Sequence, residues 1–297
     1  SEDDAREFSE ILGSNFKNNT AKRSGGAIHW SGHNGTISNT NFTGNKATGE
    51  VISDIGGVLG GGDGGAVLWV GSHGIIKDNC NFINNFAKYR GGAVFLHGND
   101  TENCTNTTVT NCNFEDNVAG LNGGAIDWQH GTTYGNLTYS NFTNNTAWRS
   151  GGAVYWNGLY GDILYCIFDD NHAIGNVTAH DRPDVAVYSN EGGHGGAVIW
   201  TGSHGEVYYS NFVNNTAKNN GGAVYLQSGT YGECQNTTFD NCYFGENEAG
   251  LNGGAVDWFR GASLGKVLNS VFENNIANRS GGAIHWSGHY GTISNSN

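Results

Sequence analysis

Polar and apolar positions alternate along this chain in short bursts. In Gly25-Gly26-Ala27-Ile28-His29-Trp30 the apolar Ile28 and Trp30 are separated by His29, and the run ends at once in Ser31 and Gly32. A period of two is that of a strand, so Ile28 and Trp30 share one face and Ala27 and His29 the other. No segment holds apolar residues at the i, i+3, i+4, i+7 spacing of a helix, and Gly makes up 49 of 297 residues. The pattern predicts an all-β protein.

The burst recurs. Gly-Gly-Ala-(Ile/Val) begins at Gly25, Gly64, Gly91, Gly123, Gly151, Gly195, Gly221, Gly253 and Gly281. The position two after its Ile or Val is Trp in seven repeats and Leu96 or Leu226 in the other two. The position between reads His29, Leu68, Phe95, Asp127, Tyr155, Ile199, Tyr225, Asp257 and His285. No dry core accepts that mixture, so Ile/Val and Trp/Leu are expected to face inward and the mixed column outward into solvent.

A second motif, Phe-x-x-Asn-x-Ala, alternates with the first, beginning at Phe16, Phe42, Phe82, Phe114, Phe142, Phe168, Phe212, Phe244 and Phe272. Successive Phe residues lie 26, 40, 32, 28, 26, 44, 32 and 28 apart. Self-similarity at this period marks a solenoid. The series recurs after four units, which divides the chain into block one (16–141), block two (142–271) and the start of a third (272–297), after an acidic tail or cap at 1–15. The blocks, of about 130 residues each, match in detail: Asp127 corresponds to Asp257, Phe95 to Tyr225 and His29 to His285.

With strands too close for crossover helices, a unit of 26 residues predicts a right-handed parallel β-helix of about nine coils, roughly 43 Å long at one strand spacing per coil. In Ile37 to Phe42 one strand is expected to end at the Phe, whose ring stacks inward on the next. The motif Asn should close it at a bend in left-handed conformation, its amide bonded to the next coil. The Gly pair should form a corner with no room for Cβ.

The paired motifs resemble the repeats of chlamydial-type polymorphic outer membrane proteins, and those of adhesin-like surface proteins of methanogenic archaea. The resemblance covers residues 16–297. It implies a right-handed β-helix displayed outside the cell, with a role in adhesion, although no C-terminal membrane barrel is visible in this sequence.

Composition narrows the chemistry. A formal charge of −13 with only 14 Lys plus Arg argues against nucleic acid, because neutralising phosphates needs a basic surface. No apolar run is long enough to span a membrane, and no signal peptide is visible. Cys104 with Cys112, and Cys234 with Cys242, are candidate disulfides tying a longer connection to its strand; the alternative is six buried thiols, with Cys80 and Cys166 packed in the core. Among thirteen Asn-x-Ser/Thr sequons, Asn18, Asn34, Asn99, Asn106, Asn136, Asn176, Asn236 and Asn278 are candidate glycosylation sites.

No cofactor or metal is expected. Gly61-Gly62-Asp63-Gly64-Gly65 is faintly like a calcium-binding turn, but its counterpart holds His194 in place of Asp63. Ser72-His73-Gly74, Ser203-His204-Gly205 and Asp169-Asp170 are like fragments of β-helical polysaccharide-degrading enzymes. The His residues recur with the repeat, at His33, His73, His204 and His289, whereas an active site needs converging carboxylates unique in the chain. The expectation is therefore a non-enzymatic extracellular structural or adhesive protein, with a polysaccharide-degrading enzyme as the alternative. His29, Phe95, Asp127, Tyr155, Tyr225, Asp257 and His285 form a candidate binding column, and surface glycans or other cells are the expected partners. Self-association is expected end to end, through coil-on-coil stacking. Lateral contact is expected through the insertions at 48–63 and 174–194.

Overall fold

A computed structural model of the chain describes residues 9–49, 61–98, 104–129, 131–175, 192–228 and 234–297. The strands among these residues form four parallel sheets of 10, 9, 9 and 9 strands, with one further pair joining Cys104–Thr105 to Thr132–Thr133. No helix occurs among the described residues. One coil passes in turn through an approach sheet (Thr36–Ser38), a Phe sheet (Asn41–Thr43), an Ala sheet (Lys46–Ala47) and a Trp sheet (Val67–Trp69). The molecule is a parallel β-solenoid of about nine turns.

Register joins like to like: Phe82 pairs with Phe42 on one side and Phe114 on the other. The nine Phe rings consequently form one stack, with centroids 4.7–5.1 Å apart. Trp156 stacks between Trp128 and Trp200 at 4.5 and 4.8 Å; the Trp column is broken by Leu96 and Leu226. The Ile/Val of the Trp sheet, the central residue of the approach sheet and the Ala of the Ala sheet complete the core. These groups pack against their neighbours above and below and also across the interior, as where Phe239 meets Trp258 edge-on at 5.6 Å, and no coil buries its faces alone, so stability is built by stacking.

Two expectations change. Ile37 to Phe42 is two strands rather than one, split at Asn39, whose φ of 48° turns the chain between the approach and Phe sheets. The motif Asn is not the left-handed residue either: that conformation falls one position earlier, at Asn18, Gly44, Asn84 and their equivalents. From Asn45 to Asn247 the motif Asn is buried, and it forms a ladder. Asn117 Nδ2 donates to Asn145 Oδ1 at 3.0 Å and to the Phe82 carbonyl at 2.9 Å, and the Asn117 backbone N–H donates to the same Asn145 Oδ1 at 3.1 Å. The Gly pair behaves as expected. Gly91 has φ 59°, and a Cβ on Gly92 would overlap the carbonyl oxygen of Gly124 in the next coil.

Glu10–Leu12 is the first strand of the approach sheet, so the solenoid already begins within residues 1–15, where the sequence predicts a tail or cap. Residues 1–8 lie outside the described residues, as do 50–60 and 176–191 of the two insertions. The described ends of both insertions leave the corner between the Ala and Trp sheets.

Candidate functional site

The mixed column of the Trp sheet points away from the main core, yet most of it is shut off from solvent. Phe95, Asp127 and Asp257 are 0% exposed, and Leu68, Ile199 and Tyr225 no more than 3%; Tyr155 and His285 are partly exposed, and only His29 is open. The expectation of a solvated outward column is corrected. Register covers each side chain from above and below: Tyr155 lies between Asp127 and Ile199. The flanks are covered by the corner before the Gly pair and by the residues after Trp. The Arg90 guanidinium lies 5.9 Å from the Phe95 ring, with His97 stacked on it at 5.6 Å, and Tyr225 packs between His194 at 4.5 Å and Phe259 at 5.8 Å.

Burial controls the charge states here. Asp127 Oδ1 accepts from Gln129 Nε2 at 2.7 Å, while Oδ2 has no hydrogen-bond partner among the described residues. Burial pushes its carboxyl well above the usual range against the pull of Arg90 and Gln129. Asp257 is pushed up to about 6 by burial, partly offset by His285, whose Nδ1 lies 2.9 Å from Oδ1. His194 is lowered to about 4 by burial and Arg149. Beside this column Arg149, Tyr155, His194, Lys218, Tyr225 and Phe259 line a cleft of about 590 Å³.

All six cysteines are free and buried, which corrects the candidate pairings of Cys104 with Cys112 and Cys234 with Cys242. Two left-handed corners, Asn106 and Asn111, separate the first pair, and Asn236 and Asn241 the second. Each first Cys therefore turns into the core ahead of the approach sheet and each second Cys after it. Cys104 Sγ lies 3.3 Å from the Gly71 carbonyl, whereas Cys112 pairs in register with Cys80. Burial raises Cys104 to about 11 and Cys234 and Cys242 to about 12, so they remain thiols. Asn18, Asn106, Asn236 and Asn278 are exposed, Asn34 and Asn136 partly so; Asn99 and Asn176 lie outside the described residues.

Residues that sequence reasoning missed stand at the two corners flanking the approach sheet. Tyr139, Tyr165 and Tyr209 are left-handed (φ 48°, 55° and 50°), 47–61% exposed, and stacked at 5.0 and 5.1 Å. At the preceding corner Tyr134, Tyr160 and His204 are left-handed too; Tyr134 stacks on Tyr160 at 5.1 Å, and His204 lies tilted by 52° against Tyr160 at 4.7 Å. The signal was present in the sequence: three residues before the motif Phe, every other coil from Phe42 onward has Asn.

Three stretches, residues 13–29, 209–227 and 269–285, match the model of the Chlamydia polymorphic membrane protein repeat. In these three coils the chain is similar to that repeat. Each matched stretch of this polymorphic membrane protein type starts at a left-handed corner and runs through the Phe and Ala sheets to the Trp sheet of the same coil. No curated protein matches the chain. The fragments similar to polysaccharide-degrading sites do not come together on these repeats: His73 and His204 occupy the corner before the approach sheet, Asp169 and Asp170 the end of the Phe sheet. Among the described residues no group of three metal-ligating side chains is assembled, and no helix is long and apolar enough to cross a membrane. The family is one of outer-membrane or surface proteins, and repeat and solenoid together fit an adhesin-like surface protein.

Proposed function

We propose that this chain is a non-enzymatic, extracellular rod that works by presenting a long, regular surface for adhesion. The observation that carries the reading is the match of three coils to a surface-protein repeat within a solenoid that uses its chemistry periodically. Periodic side chains serve stacking, whereas a polysaccharide-degrading site needs a unique group of carboxylates. Within the former candidate column, the cleft over Tyr155 and Tyr225 is the part left for a ligand, and surface glycans or other cells remain the proposed partners. Coil-on-coil addition, which would extend the rod through its Phe and Trp stacks, is the proposed mode of self-association. Exposed sequons such as Asn106 and Asn236 are the proposed glycan carriers. Incubating the purified chain with a panel of acidic and neutral polysaccharides tests the reading. No turnover is expected; turnover abolished by a single Asp→Asn change would overturn it.

A further inference from the structure

The aromatic corners depart from the residue that backbone geometry favours. A left-handed corner favours Gly or Asn, and a bulky residue there costs roughly 1 kcal/mol or more. Around the solenoid the corner between the approach and Phe sheets is Gly13, then Asn39, Asn79 and Asn111, and later Asn241, Asn269 and Asn295. Only Tyr139, Tyr165 and Tyr209 depart, in three consecutive coils. In those same coils the preceding corner carries Tyr134, Tyr160 and His204, a corner where His73, Leu264 and Tyr290 also stand in place of Asn in other coils. Solvent-facing side chains that strain the backbone point to a role beyond holding the coils together.

The strand between the two ladders breaks a second rule. Asp162 and Glu206 pair in register on adjacent coils, like charge against like charge, and burial together with Glu206 raises Asp162 to about 6. Asp240 follows one coil on, in register with Tyr208. Across the approach and Phe sheets of five successive coils (residues 104–117, 132–145, 158–171, 202–215 and 234–247) there are eight Asp or Glu and no Lys or Arg. In the Tyr139, Tyr165 and Tyr209 ladder the rings lie face to face, which leaves ring edges and phenol oxygens for N–H donors.

We propose that the outer face of the approach sheet over residues 134–139, 160–165 and 204–209 is a docking surface for a basic polypeptide segment. Its Lys or Arg side chains meet the Asp162–Glu206 pair, and the two aromatic ladders border the segment on either side. Charge complementarity selects this partner: the face offers carboxylates and phenol oxygens and no cation, so it repels anionic chains. The surface is distinct from the cleft over Tyr225, and it holds or fails independently of the adhesive reading.

Fluorescence anisotropy of labelled octalysine with the full chain tests the proposal, alongside octaglutamate, cellohexaose and chitohexaose. Octalysine is expected to bind, and to bind more weakly as salt rises. Asp162→Asn with Glu206→Gln should weaken it by at least about tenfold, and so should Tyr139→Asn, Tyr165→Asn and Tyr209→Asn combined. The Asn variant restores the residue that other coils use at this corner, so it should fold; circular dichroism checks that it does. Glu10→Gln with Glu273→Gln removes the same charge elsewhere and should leave binding within about twofold. Absent octalysine binding, equal losses in the Asp162/Glu206 and Glu10/Glu273 variants, or binding of the hexaoses instead, would overturn it.

Discussion

Asp257 shows how far a single residue can depart from what its polarity implies. It is fully buried, its Oδ2 has no hydrogen-bond partner among the described residues, and His285 is its one ion-pair partner there. Its folded pKa, near 6, lies above the ordinary carboxylate value of 3.8. Between those values the folded chain binds more protons than the unfolded chain, so stability falls as pH rises from about 4 to 6, by roughly 2–3 kcal/mol in all. Asp257→Asn should abolish that slope. Denaturant unfolding at pH 4 and pH 7 is expected to find the variant about equal to the parent at pH 4 and more stable at pH 7. A parent that gains stability over this range relative to the variant would contradict the assignment. Alternation in Val256-Asp257-Trp258 correctly pointed Asp257 away from the core. What it could not show is that corner side chains and the residues after Trp close over that side, because they are contributed by other segments and coils.

Among the elements, the Asn ladder joins one coil to the next most directly. Asn145 Oδ1 accepts from both the side chain and the backbone N–H of Asn117, and its Nδ2 donates to the Phe114 carbonyl and to Asn171 Oδ1. Asn145→Ala would leave several of these fully buried groups without partners at once. At about 1–3 kcal/mol for each unmet group, partly relieved by relaxation, a loss of about 3–5 kcal/mol is expected in denaturant unfolding. A loss below about 1 kcal/mol would show that the ladder is not what fixes the coils. This ladder was legible in the sequence, as were the Phe and Trp stacks and the Gly corner, because each is a fixed residue at a fixed spacing. The split at Asn39 was not, since a left-handed Asn inside an apolar-alternating run looks like part of a strand. The Cys104–Cys112 pairing failed for the same reason: a short sequence separation hid two intervening corners. The aromatic corners are present in the sequence only as departures from a repeat, so periodicity, which marks the core, does not mark them.

At the scale of the whole molecule, the regular interior and the irregular exterior have different origins. Stacking demands that like residues meet coil after coil, which accounts for the Phe, Asn, Ala and Trp columns. It makes no such demand of Tyr139, Tyr165, Tyr209, Asp162 or Glu206, and those are the positions that set one stretch of the rod apart from the rest. A rod with a repetitive core and a local, costly surface suits display to a partner better than catalysis in an enclosed site. Display at the cell surface is therefore the central claim, and immunogold labelling tests it most directly, using antibody raised against the 297-residue chain on intact, unpermeabilised source cells. Gold on the outer surface of intact cells is the predicted result. Labelling that appears only after permeabilisation would contradict the account.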